Sequence, residues 1–266
     1  LKDDDAELRR AATEQLGEFV RHSTKGLEQA PGAGEVQEAV LKLFSDPDDR
    51  VKAAAAVAYG KIGQRPLQVR PVGEMAHYTP LFDLLKANND KDPYLRHAAV
   101  MGLYHSARNP ADLLRVWKAA AEQEKGKYDV PAVRLGVLLA LRKHRSDQCA
   151  EFLADDNAFI VAEAARAVYD ARLGTDATAA LAKHAEKASL PDAVGFRALA
   201  ANYVLGTAEA AGRVAAFAAR PGEADYARAF ALKLLADWPK PPRRDPITGL
   251  TLDLPTRDAK IAVDAL

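Results

Sequence analysis

Apolar and small residues return at helical spacing in seven places along this chain, each time just after an acidic or proline-containing turn. The clearest copy is the stretch 89–103, NDKDPYLRHAAVMGL, in which Leu95, Ala98, Ala99, Gly102 and Leu103 stand at i, i+3, i+4, i+7 and i+8. That spacing places them on one stripe of a 3.6-residue helix, and such a stripe is a face made for burial. The same stripe starts at Val51 (Ala54, Ala55, Ala58, Tyr59), Val133 (Gly136, Val137, Ala140, Leu141) and Val161 (Ala164, Ala165, Val168, Tyr169). It starts again at Phe196 (Leu199, Ala200, Tyr203, Val204) and Ala227 (Phe230, Ala231, Leu234, Leu235), with a looser copy at Leu8. Three and four places after the anchor stand alanine pairs, as at Ala11 and Ala12, Ala54 and Ala55, Ala98 and Ala99, and Ala164 and Ala165. Small side chains there let neighbouring helices approach closely.

Successive anchors are 43, 44, 38, 28, 35 and 31 residues apart. A period in the thirties and forties, with room for two helices per unit, predicts an all-α fold: an α-solenoid of HEAT or armadillo-like helical hairpins with about seven units. Partner helices are expected at 35–44, 80–86, 110–122, 148–153, 175–187 and 207–219. The stretch 64–79, QRPLQVRPVGEMAHYT, has two prolines and no helical period, so it reads as a surface excursion. After the last stripe come five prolines between Pro239 and Pro255, through which no helix can run. The expected organisation is therefore a solenoid over 1–238, then a proline-rich extended strap and the start of a further helix near Asp258 over 239–266. Trp238 continues the last stripe and is the expected buried anchor of the strap.

Six of the seven anchors are followed directly by a base: Arg9, Lys52, Arg96, Arg134, Arg197 and Arg228, with Ala162 breaking the series. Acids precede five of these bases by four or five residues, at Asp5, Asp48, Asp92, Asp129 and Asp192, and Asp156 stands six before Ala162; there they suit the positive N-terminal turn of a helix. These residues predict a structural ladder in which each base reaches an acid of its own or a neighbouring repeat. The alternative is a basic groove for an anion. Lys plus Arg and Asp plus Glu both number 37, which favours the ladder and makes nucleic acid an unexpected partner. Hydrophobic residues make up 48% of the chain, ample for a core, and no run of about 18 apolar residues predicts a membrane span. The start at Leu1 and the end inside the helix-like DAKIAVDAL read as a segment of a longer polypeptide.

Chemistry is sparse. The single cysteine, Cys149, excludes an intrachain disulfide and a multi-cysteine metal cluster, and its setting in QCAEFLA is that of a small buried hydrophobe. Six histidines (His22, His77, His97, His105, His144, His184) form no ligand-spaced set with a third donor. His97 and Met101, one turn apart, could offer a nitrogen and a thioether to a metal or haem iron, but two ligands from one helix face would reach the same side of a haem. Packing at a repeat seam is the expected role. Ser45, Ser106, Ser146 and Ser189 sit where helices start or chains turn, and read as caps. Neither PGAGEV nor YGKIG completes a phosphate loop, and the acids at Asp3 to Asp5 and at Asp155 and Asp156 are turn residues without the spacing of a calcium loop. No catalytic residue, metal ligand or cofactor-binding residue is predicted.

The segments DPYLRHAAVMGL, VRLGVLLALRKHR, VAEAARAVYDA and LLADWPKPPRRDPITGL together resemble the HEAT-repeat region of bacterial PVC-type multidomain haem-binding dehydrogenases, over most of the chain. In that family a sugar-dehydrogenase-like propeller precedes the HEAT region and a c-type cytochrome domain with CxxCH follows it. The resemblance implies a non-catalytic scaffold or docking module, partnered by flanking domains of the same polypeptide or by another protein. It also implies an exported, periplasmic location, because c-type haem is attached outside the cytoplasm. The segment ITGLTLDLP departs from the family's Trp-containing strap. A free-standing scaffold that binds a peptide or protein on its concave face is the alternative. A HEAT-like DNA glycosylase would need a basic groove and an aromatic and carboxylate constellation that the sequence lacks.

Overall fold

The computed structural model describes residues 1–22, 33–63, 74–107 and 109–266. The chain divides into two compact units, Leu1–His144 and Arg145–Leu266. Unit 1 contains α1 (Ala6–His22), α2 (Ala33–Lys42), α3 (Asp49–Gly63), α4 (Glu74–Asn88), α5 (Pro93–Ser106), α6 (Pro110–Gln123) and α7 (Pro131–Lys143). Unit 2 contains α8 (Ala158–Asp170), α9 (Thr175–Ala182), α10 (Asp192–Leu205), α11 (Ala208–Ala219), α12 (Asp225–Ala236) and α13 (Ala259–Ala265). Among the described residues there is no strand, only an isolated antiparallel bridge between Arg244 and Thr251. The fold is all-α, and within each unit helices pack on their neighbours in chain order, as in an α-solenoid. All seven predicted stripes lie on helices.

The stripes work as the alanines suggested. In unit 1, α3 lies between α1 and α5 and buries Ala54, Ala55 and Ala58, while α5 buries Ala98, Ala99 and Leu103. The closest approach needs glycine on both helices: a Cβ on Gly60 would stand 2.3 Å from the Gly102 carbonyl oxygen, and one on Gly102 would stand 2.6 Å from that of Ala56. The start of α5 is set locally. Asp92 accepts hydrogen bonds from the Tyr94 and Leu95 amides, and Pro93 fills the first helical position, where no N–H is needed.

Two expectations about partner helices need correction. Residues 74–79, read as part of an excursion, are the first turns of α4, and Pro80 lies inside that helix. Pro80 cannot donate to the carbonyl one turn back. The helix persists because Tyr78, Leu81, Phe82 and Leu85 are buried along one face, and the Thr79 hydroxyl donates to the Met75 carbonyl at 2.8 Å. The remainder of that stretch, 64–73, lies outside the described residues. In unit 2 the helix expected at 148–153 is the 3-10 segment Asp147–Ala154, and the helix expected at 175–187 ends at Ala182 and tightens into 3-10 turns over Lys183–Glu186. A fixed guanidinium meets the carbonyls freed at that tightened end: Arg220 donates to Ala185, Glu186 and Lys187.

The strap is not uniformly extended. Between Asp245 and Leu250 it closes a turn through Asp245 N–H to Leu250 C=O at 2.8 Å, and the Asp245 carboxylate accepts from the Ile247 and Thr248 amides. The other oxygen of this buried carboxylate accepts from the Tyr169 hydroxyl on α8 at 2.9 Å. The strap thus reaches back past the last hairpin to α8, then delivers α13 onto α11.

Candidate functional site

The six ladder bases do not form one ladder. Two bridge successive elements of the stack. Arg9 on α1 makes a two-pronged contact with Asp46, in the turn before α3, at 2.8 and 2.9 Å, and the pair is largely shielded from solvent. Arg197 on α10 does the same with Asp170, the last residue of α8, at 2.9 and 3.0 Å. Three stay near home, Lys52 with Asp49 at 2.7 Å, Arg96 with Asp90 and Arg134 with Asp129 at 3.0 Å, while Arg228 lies 3.6 Å from Asp225 of its own helix and donates to the Ala218 carbonyl of α11 at 2.9 Å. Of the acids expected to pair with these bases, Asp129 does. Asp92 caps α5, Asp48 holds Arg50, Asp5 accepts from the Glu7 amide, and Asp192 accepts from the Tyr226 hydroxyl. Spacing identified bases at seams, but which acid each one meets depends on where the neighbouring element ends. The Arg9 guanidinium holds the Asp46 carboxyl below the usual carboxylate range, and Arg50 holds Asp48 down at about 2.

Trp238 is where the sequence put it, fully buried. Its indole meets the Tyr203 ring edge-on at 5.5 Å, and the Arg257 guanidinium lies 5.0 Å from the indole and 5.1 Å from the phenol ring. Arg257 comes from the far end of the strap, whose backbone closes there through Arg257 N–H to Pro239 C=O at 3.0 Å. Burial lowers the Arg257 pKa and pushes that of Tyr203 up to about 12. The cation and two rings form a latch that the sequence did not reveal, since Arg257 is separated from Trp238 by the whole strap.

The candidate site is a groove of about 760 Å³ in unit 1, running along α3. Its floor is Ala53, Ala54, Val57 and Ala58 of α3, with Leu95 and Ala98 of α5. One wall is polar, formed by Glu14, Gln15 and Glu18 of α1; the other carries Tyr94, His97 and Met101 of α5. Tyr94 is 83% exposed. Asp49, Arg50, Lys61 and Asp92 complete the rim. Lys61 is bonded to Glu18, and Arg50 turns to Asp48. His97 and Met101, expected at a packed repeat seam, stand at this open groove instead; the position one step behind the buried stripe faces outward once α1, α3 and α5 lie side by side.

A serine–histidine contact also appears that spacing did not reveal. His77 Nε2 lies 3.0 Å from Ser106 Oγ, while the ring stacks on Tyr59 at 4.8 Å. Ser106, read from sequence as a cap, is instead the buried last residue of α5, and His77 is buried too. A nucleophile has to meet its substrate, so this enclosed pair serves to pin α4 to α5. Cys149 is buried in its 3-10 segment. Among the described residues no group of three or more His, Cys, Asp or Glu is placed to hold a metal, and no helix is long and apolar enough to cross a membrane.

The architecture defines a helical-hairpin repeat protein. Comparison with family models returns no match, and comparison with curated proteins returns none either.

Proposed function

We propose that this chain is a non-catalytic scaffold and docking module, the HEAT-type segment of a larger exported dehydrogenase whose substrate and haem chemistry belong to flanking propeller and cytochrome domains. The observation that supports a docking role is the groove along α3, where half-buried Ala53 and Val57 stand between Glu14, Gln15 and Glu18 of α1 and Tyr94, His97 and Met101 of α5. Such a surface suits a protein segment better than a small reacting molecule, because it offers contact area without enclosure. The dehydrogenase setting rests on the resemblance of the quoted segments, the strap above all. The full coding sequence tests it: a propeller upstream and CxxCH downstream are expected. If both are missing, the reading becomes a free-standing interaction scaffold, which the same groove supports. Addition of haemin to the purified chain is expected to give no specific Soret band; a band lost in His97→Ala would overturn the non-catalytic reading.

A further inference from the structure

We infer that His97 and Met101 form a binding site for a soft monovalent metal ion of the copper(I) class. The site goes beyond the scaffold reading and does not depend on it. The two side chains stand one turn apart on α5 and line the same groove. Residues at i and i+4 have their Cβ atoms about 5–6 Å apart on one helix face. Long side chains on a helix lean back toward its N-terminus, which brings the Met101 thioether toward the turn that carries His97. The flexible stem of methionine lets the sulfur adjust to an ion already held by the imidazole. Access is open, since His97 is exposed and Met101 half-buried.

The available donors select the ion. Among the described residues His97 makes no hydrogen bond, ion pair or ring contact, so its ring can ligate without breaking an existing link. The carboxylates of the groove are engaged: Arg10 pairs with Glu14, Lys61 with Glu18 and Lys52 with Asp49, while Asp92 caps α5. Calcium and magnesium ask for about six or more oxygen ligands, and zinc for about four donors. Among the described residues no three His, Cys, Asp or Glu are placed to meet that demand. A soft monovalent ion asks for less. One imidazole nitrogen and one thioether sulfur suffice for it, and the thioether is the ligand that hard ions pass over. Placement on a single helix face, which cannot hold a haem from both sides, is no obstacle to a bare ion. Because the ion pairs leave little net field in the groove, affinity rests on the nitrogen and the sulfur rather than on charge.

Silver(I) nitrate in chloride-free buffer is the probe, because silver(I) shares the coordination preferences of copper(I) and is stable in air. The chain has two methionines, Met75 and Met101, so carbon-13 labelling of the methionine methyl groups gives two signals. One equivalent of silver(I) is expected to move the signal that is missing in Met101→Leu, a swap that nearly conserves volume, and to leave the Met75 signal in place. With free histidine as competitor, His97→Ala should need at least tenfold more silver(I) to move the Met101 signal equally. His97 is exposed, and circular dichroism would verify that the variant keeps its helix content. Zinc(II) should bind at least tenfold more weakly than silver(I). The inference is overturned if the Met75 signal moves alone, if His97→Ala titrates like the natural chain, or if zinc(II) binds as tightly as silver(I). Silver(I) uptake that leaves both methyl signals still, as capture by the buried Cys149 would, overturns it too.

Discussion

The two units finish their helical stacks in different ways. In unit 2 the chain itself covers the stack: the strap runs from Trp238 past α8 and α10, ties down through Asp245 and Arg257, and lays α13 on α11. In unit 1, among the described residues, Leu8 and Phe19 of α1 are 56% and 67% exposed, and half-buried Ala53 and Val57 of α3 face the groove beside α1. The stripes are alike, so the contrast does not come from the repeat pattern. It comes from whether a stretch with restricted backbone follows the stripe. A strap rich in proline loses less entropy on ordering than an ordinary loop, and can therefore be held by a few contacts. Unit 1 has its stack and its groove; unit 2 has its stack and a lid.

The largest expected effect is at the lid. Trp238→Ala removes a fully buried indole and one side of the Arg257 latch, and should destabilise unit 2 by about 3–5 kcal/mol in urea unfolding. Amides of 239–255 should then exchange as fast as a free peptide. Because the indole Nε1 has no hydrogen-bond partner, Trp238→Phe should recover most of the loss; no recovery would mean that ring packing is not what holds the strap.

Next is the tightest seam of unit 1. Gly60→Ala drives a methyl into the Gly102 backbone and should cost about 1–3 kcal/mol in urea unfolding. A change within about 0.5 kcal/mol would contradict so close an approach of α3 and α5.

Smaller effects separate the ladder residues. Arg197→Ala breaks a part-buried, two-pronged link to Asp170 and should cost about 1–3 kcal/mol, whereas Arg96→Ala, whose partner Asp90 sits in the turn before its own helix, should stay within about 0.5 kcal/mol. Similar values for the two would restore the uniform ladder that the spacing suggested.

The smallest effect is a pH dependence confined to unit 1. Burial lowers the His144 pKa, with partial relief from the Tyr104 carbonyl 3.1 Å away. Its neutral form is favoured by folding, so the contribution is complete above the unfolded value of about 6.5 and is lost as pH falls through the lower folded value. Thermal melts at pH 7.5 and 5.5 should show a decline for the natural chain and a smaller one for His144→Gln. Below that range the depressed Asp46 and Asp48 carboxyls add their own loss, with the same sign.

What sequence alone determined follows from periodicity. Positions such as Leu95, Ala98, Ala99 and Leu103 must share a face of any helix they form, and alanine or glycine on that face requires close neighbours; the stripes, the all-α class and the burial of Trp238 could all be read this way. Local chemistry was legible too, as at Asp92 and Pro93 opening α5. Tertiary structure decided whatever depends on two distant segments meeting. Pro80 is carried inside α4 because buried residues on one face outweigh a missing hydrogen bond. Arg9 chooses Asp46 and Arg197 chooses Asp170 because the ends of neighbouring elements place those acids within reach. The Arg257 latch and the α3 groove arise in the same manner: a stripe specifies that a face will be buried, while the height and charge of the walls beside it depend on which helices become neighbours.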